Sequence, residues 1–153
     1  MKTILKWCLP IFMLAVVSGL FSSCEGNDAD DEGVITVKMR NANNGRTEIF
    51  LNDNAYVLYI ESDNNFYFDR YSGARICDVG AKSLKAVKSV PKSGWTNKAA
   101  AISGHSYVIR CEINSDSSNK NYSYYKLHVV SSIEGTSGGI LGYEVQYCEW
   151  NPK

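Results

Sequence analysis

Residues 124–149 read YYKLHVVSSIEGTSGGILGYEVQYCE, and they decide the fold. Tyr125, Leu127 and Val129 alternate with Lys126 and His128, the two-residue period of a strand with one buried face. Thr136-Ser137-Gly138-Gly139 then supplies turn residues, and Ile140 to Glu149 runs on as a second strand. Upstream, Ile35, Val37 and Met39 alternate with Thr36, Lys38 and Arg40. Asn43-Asn44-Gly45 suits a hairpin returning through Thr47 to Leu51. Ala55 to Glu61, Phe66 to Phe68 and Ala74 to Val79 follow, with Asp63-Asn64-Asn65 turning the first of these into the second. Ala99 to Ile102 and Tyr107 to Ile113 flank Ser103-Gly104 and suggest another strand pair. Pro91 and Ser93-Gly94 break residues 80–98, where Leu84, Val87 and Val90 suit one amphipathic turn or a short strand. Eight to ten short strands with little helix predict an all-β fold, a single antiparallel β-sandwich or barrel-like domain over residues 34–153.

The first 23 residues have a different character. Lys2 and Lys6 form a cationic head, Leu9 to Phe21 an apolar run, and Ser22-Ser23 a small-residue site. A membrane span needs about 18 or more apolar residues with few charges, and Lys6 and Pro10 leave too few. The order of zones predicts a cleaved secretory signal. The cysteine directly after the small residues makes it a lipoprotein signal, with Cys24 as the lipidated residue. The thiol is required because sulfur carries the diacylglycerol as a thioether, and two or more chains give stable anchoring. Phe21-Ser22-Ser23-Cys24 resembles the lipobox of Bacteroidetes lipoproteins.

Residues 24–33 comprise that cysteine and, over 25–33, five acids with no apolar side chain larger than alanine, which predicts a flexible acidic tether. Its acidic run resembles the stretch that sends Bacteroidetes lipoproteins to the cell surface. The resemblance implies an outer-membrane anchor facing outward, with a periplasm-facing position as the alternative. Asp28, Asp30, Glu32 and Gly33 imitate half of a calcium loop, but Met39 stands where the closing glutamate belongs.

Processing at Cys24 leaves 130 residues, enough for one core. Residues 34–153 carry 14 basic and 11 acidic side chains and show no basic stripe, which argues against nucleic acid as a partner. Cys77, Cys111 and Cys148 remain, an odd number without CxxC or Cys/His spacing, so zinc and other cofactors find no support. Cys111 shares strand parity with Tyr107 and Ile109, which predicts an inert buried thiol.

Catalytic patterns fail on inspection. Gly135-Thr136-Ser137-Gly138-Gly139 fits G-x-S-x-G, yet no histidine or aspartate follows Ser137. His105, Asp116 and Ser137 stand in the trypsin-like order, but a chain this short cannot build that double barrel. The aromatic residues point elsewhere. Ten tyrosines, with Trp95 and Trp150, exceed the needs of such a core. Tyr59, Tyr67 and Tyr71 fall on outward parity or in loops, as do Tyr122 and Tyr124. Such rings can stack on sugars or on a protein partner, and they also pair across strands with no ligand involved. Trp95, Trp150, Tyr59, Tyr67 and Tyr71 are the candidate ligand-binding residues.

Ser89 to Trp95, Gly104 to Val108 and Thr136 to Gly142, taken with the lipobox, resemble a group of Bacteroides lipoproteins of unknown function. The resemblance implies a single β-rich domain on the envelope and assigns no site residue. The expectation is a non-enzymatic binding or accessory module for a glycan or an outer-membrane protein. The alternative is a small hydrolase acting on envelope or dietary polymers.

Overall fold

Alternation of buried and open side chains builds nine strands in the computed structural model, which describes residues 33–69, 73–113 and 120–152. They are β1 (Ile35–Arg40), β2 (Glu48–Leu51), β3 (Tyr56–Ile60), β4 (Asn65–Phe68), β5 (Arg75–Gly80), β6 (Lys98–Ala100), β7 (Ser106–Glu112), β8 (Tyr122–Glu134) and β9 (Ile140–Trp150). One antiparallel sheet has the order β1-β9-β8-β7-β5, and the other has the order β2-β3-β4-β6. The two pack face to face as an all-β sandwich, and the barrel-like alternative falls away. Helical structure among the described residues is limited to short 3-10 turns at Ala42–Asn44 and Leu84–Ala86.

The core takes alternate residues from both layers. Met39, Tyr107, Ile109, Leu127, Val129 and Val145 enter from the larger sheet. Ile49, Leu51, Leu58, Ile60, Phe66 and Phe68 enter from the smaller one. Phe66 meets Tyr107 edge to face at 5.3 Å, a favoured geometry for two aromatic quadrupoles. Cys111 lies in this core and is fully buried, as its parity predicts.

Two expected hairpins are instead crossovers between the layers. β1 pairs with β9 and β2 with β3, so Asn43-Asn44-Gly45 does not fold one strand back on the other. Asn41 explains the detour. Its buried amide donates to the Ile140 carbonyl at 3.1 Å and to Asn64 Oδ1 at 3.3 Å, and its own Oδ1 accepts from Asn44 at 2.6 Å. Those bonds tie the end of β1 to both sheets, and Gly45 at φ +79° then swings the chain across. β6 and β7 likewise belong to different sheets. The Tyr107 hydroxyl holds that corner, donating to the Ala100 carbonyl at 2.7 Å and accepting from the Ile102 amide at 3.0 Å.

The other expected turns form. Asn64 takes φ +58° in the β3–β4 turn, a conformation that asparagine tolerates. The Gly-rich stretch closes the β8–β9 hairpin through bonds between Gly135 and both Gly138 and Gly139. Residues 81–97 fold over the outer face of the larger sheet, where Val87 packs with Val108 and Trp150 in a small second core.

Candidate ligand-binding cleft

The outer face of the smaller sheet is built by strand parity. Leu58, Ile60, Phe66 and Phe68 turn inward, so Tyr59 and Tyr67 must turn outward. Cross-strand register sets Tyr59 opposite Tyr67 and Tyr67 opposite Lys98. The phenol rings lie 6.1 Å apart with planes 17° from parallel. Cations flank the pair. Arg46 places its guanidinium carbon 3.5 Å from the Tyr59 centroid, and Lys98 Nζ lies 5.6 Å from that of Tyr67. Glu48 holds Arg46 at 2.8 Å, with Glu61 at 4.0 Å. Each such cation–ring contact is worth about 0.5–1 kcal/mol at an exposed site.

The β3–β4 turn adds an acceptor. Asp63 accepts from the Asn65 amide at 3.1 Å and from the Tyr67 hydroxyl at 2.8 Å. The bonds from Asn65 and Tyr67 hold its carboxyl below the usual range, and the same Asp63 contact raises the Tyr67 phenol. Asp63 therefore stays ionised in neutral solution, an acceptor rather than a proton donor. Beside the tyrosines lies an open cleft of about 590 Å³, lined by Tyr59, Tyr67, Glu61, Asp63, Asp69, Arg75 and Asn97 among others. Ring surface, ionised oxygens and amide or guanidinium donors converge there, which suits a ligand rich in hydroxyls or amides.

The five candidate ligand-binding residues divide. Tyr59 and Tyr67 come together at this cleft. Trp95 and Trp150 lie on the opposite layer, under and within the segment that covers the larger sheet. Trp150 is only 7% exposed, and Tyr124 and the Lys126 ammonium occupy its ring at 6.4 Å and 4.6 Å. Trp95 is half-buried, and its indole N–H donates to the Pro91 carbonyl at 3.0 Å. Neither tryptophan offers an open stacking face at the tyrosine cleft. Tyr71 and Cys24 lie outside the described residues, as do the signal segment and the tether up to Glu32. Sequence reasoning missed Arg46, Lys98 and Asp63 as partners of the rings. Only the Asp-x-Asn pattern at 63–65, an Asx-turn signature, hinted at one of them.

A serine–histidine contact occurs elsewhere. Ser106 Oγ lies 3.0 Å from His128 Nδ1, but the hydroxyl donates to the Lys82 carbonyl at 2.5 Å. Its proton is thus directed away from the imidazole, and Ser106 is fully buried. The pair is built to hold residues 81–97 against the sheet, not to generate a nucleophile. His105 pairs with Asp78 at 3.0 Å, and Ser137 sits at the exposed β8–β9 turn. Cys77, Cys111 and Cys148 are all buried thiols.

Fold and site together define a small β-sandwich domain carrying a tyrosine-lined cleft on one sheet. Residues 36–153 match the family described as a domain of unknown function (DUF5036), and the chain belongs to that family. No curated protein and no solved structure matches the chain.

Proposed function

We propose that this chain is an envelope-anchored lipoprotein, fixed through Cys24, whose β-sandwich is a non-enzymatic binding module for a glycan. A protein partner at the same surface is the variant of this reading. One observation carries it: Tyr59 and Tyr67 stand side by side on a sheet face, at the edge of a cleft furnished with acceptors and donors. Hydroxyl-rich ligands use that combination, with ring surface against C–H faces and carboxylates or amides against hydroxyls. The acidic tether would hold the cleft away from the bilayer. The nine residues 25–33 reach at most about 30 Å. The anchor rests on the sequence of residues 1–24, with the outer leaflet of the outer membrane favoured by the acidic run.

Glycan-array and pull-down screening of the full chain, extracted from membranes in detergent, tests the reading. Binding that Tyr59→Ala and Tyr67→Ala each weaken about tenfold or more supports it. Binding indifferent to both changes removes the cleft from consideration. A second reading has one observation in its favour, because Glu61, Asp63 and Asp69 line the same cleft as glycosidase carboxylates would. Turnover of a bound polymer, abolished by Glu61→Gln or Asp69→Asn, would establish that hydrolase instead.

A further inference from the structure

A second open cavity, of about 330 Å³, lies at the end of the sandwich where β1 and β8 begin and β2 and β9 end. Register sets Tyr125 opposite Glu149 and Ile35 opposite Tyr147. Alternation puts all four on the face of the larger sheet that meets the smaller one. Tyr143, Val145 and Tyr147 precede Glu149 in that inward series, and Glu149 is its one charged member. Phe50 and Ile35 line the cavity too, each with just over half of its surface exposed. Asp53 completes the lining from the smaller sheet. It sits in a turn where Asn52, Asp53 and Asn54 take φ of +49°, +53° and +69°. Three successive residues in the left-handed region are costly, and such strain clusters at ligand sites. The Tyr125 hydroxyl fixes the turn by accepting from the Asn52 amide at 2.8 Å. Burial raises that phenol above its ordinary value and the Glu149 charge adds to the rise, so the ring stays neutral.

The charge in this cavity is one-sided. Asp53 and Glu149 line it, and no lysine or arginine does. Among the described residues, no ion pair or side-chain hydrogen bond engages either carboxylate. We propose that this end of the sandwich is a second binding site, which takes a small organic cation, an ammonium group on an apolar body. Asp53 and Glu149 supply the counter-charge, and the rings of Phe50, Tyr125 and Tyr147 supply electron-rich faces and apolar contact. Aromatic faces attract an ammonium through their quadrupole, and alkyl groups on the nitrogen lower the desolvation that binding requires. The turn is already held by Tyr125, which reduces the ordering that binding must impose. The lining shares no residue with the tyrosine cleft, so the two sites stand or fall separately.

The test is an NMR titration of the full chain in a maltoside detergent, following the backbone amides of Asn52, Asp53 and Glu149. Choline and methylammonium are the two cation probes, and their relative affinities say whether a quaternary or a primary ammonium fits better. Dimethylbutanol, the uncharged carbon analogue of choline, is the control. The expected result is a saturable shift centred on those amides with at least one cation, and binding about tenfold weaker or worse for the control. Asp53→Asn/Glu149→Gln should weaken cation binding about tenfold or more with the melting temperature nearly kept, because both acids are exposed. Tyr59→Ala should leave it unchanged. No saturable shift with either cation overturns the proposal. So does a control that binds as tightly as choline, or cation binding that survives in the double variant.

Discussion

Cys111 shows how much one position can say from parity alone. Sharing a face with Tyr107 and Ile109, it is fully enclosed, and burial pushes its thiol up from 9.0 to about 12. Native protein should therefore resist a thiol reagent at Cys111 at pH 8, with labelling only as the chain unfolds. Mass spectrometry of the labelled peptides checks this, and fast native labelling would contradict the packing described. Asn41 carries the opposite lesson. Nothing in its sequence neighbourhood marks it as buried, since asparagine before Ala-Asn-Asn-Gly reads as one more turn residue. It is nonetheless 3% exposed and holds both sheets through its amide. Asn41→Ala leaves the Ile140 carbonyl short of a donor, and denaturant unfolding should show a loss of about 2 kcal/mol. A loss below about 0.5 kcal/mol would mean that the amide is not the corner clip.

At the scale of elements, β1 lies against β9 closely enough to exclude a side chain. A Cβ on Gly142 would sit 2.0 Å from the Met39 carbonyl oxygen and 2.8 Å from Arg40 Cα, both backbone atoms that cannot rotate away. Gly142→Ala should destabilise by about 2–3 kcal/mol and increase amide exchange along Ile35–Arg40 in particular. Uniform exchange changes would contradict that local origin. Strand positions and inward faces were legible in the sequence because alternation is local: Tyr125, Leu127 and Val129 face inward as their spacing implies. Pairing was legible only where the turn joined strands of one sheet, at Asp63-Asn64-Asn65 and at Thr136 to Gly139. It failed at Asn43-Asn44-Gly45 and at Ser103-Gly104, because a turn and a sheet-to-sheet corner use the same residues. What separates them is a specific side-chain bond, Asn41 to Ile140 or Tyr107 to Ala100, which strand alternation does not encode. The candidate site followed the same division. Outward parity found Tyr59 and Tyr67, whereas the register that sets them beside Lys98 came only with the sheet. Trp150, sought as an open ring, is covered by a segment whose path over the larger sheet local pattern could not give.

For the whole molecule, two buried acids predict an alkaline limit. Burial raises Tyr107 from 10.0 to about 12, as it raises Cys111 to about 12, so the folded state keeps protons that the unfolded chain releases. Their contribution to stability is complete below pH 9 and falls as pH rises from about 9 towards 12. Melting temperatures should be level up to about pH 9 and then decline, and Cys111→Ala should flatten the first part of the decline. An unchanged slope in that variant would remove the thiol from the account. Intact mass of the native protein tests the proposed anchor, since processing at Cys24 would remove residues 1–23 and add acyl mass to the remainder. The cleft beside Tyr59 and Tyr67 is the centre of the proposed function, and calorimetric titration of the best array ligand into the full chain and its Tyr59→Ala/Tyr67→Ala form is its decisive test. The unaltered chain should bind saturably, and the double variant should lose at least about a hundredfold in affinity with its melting temperature nearly kept. Equal affinity in the two proteins would contradict it.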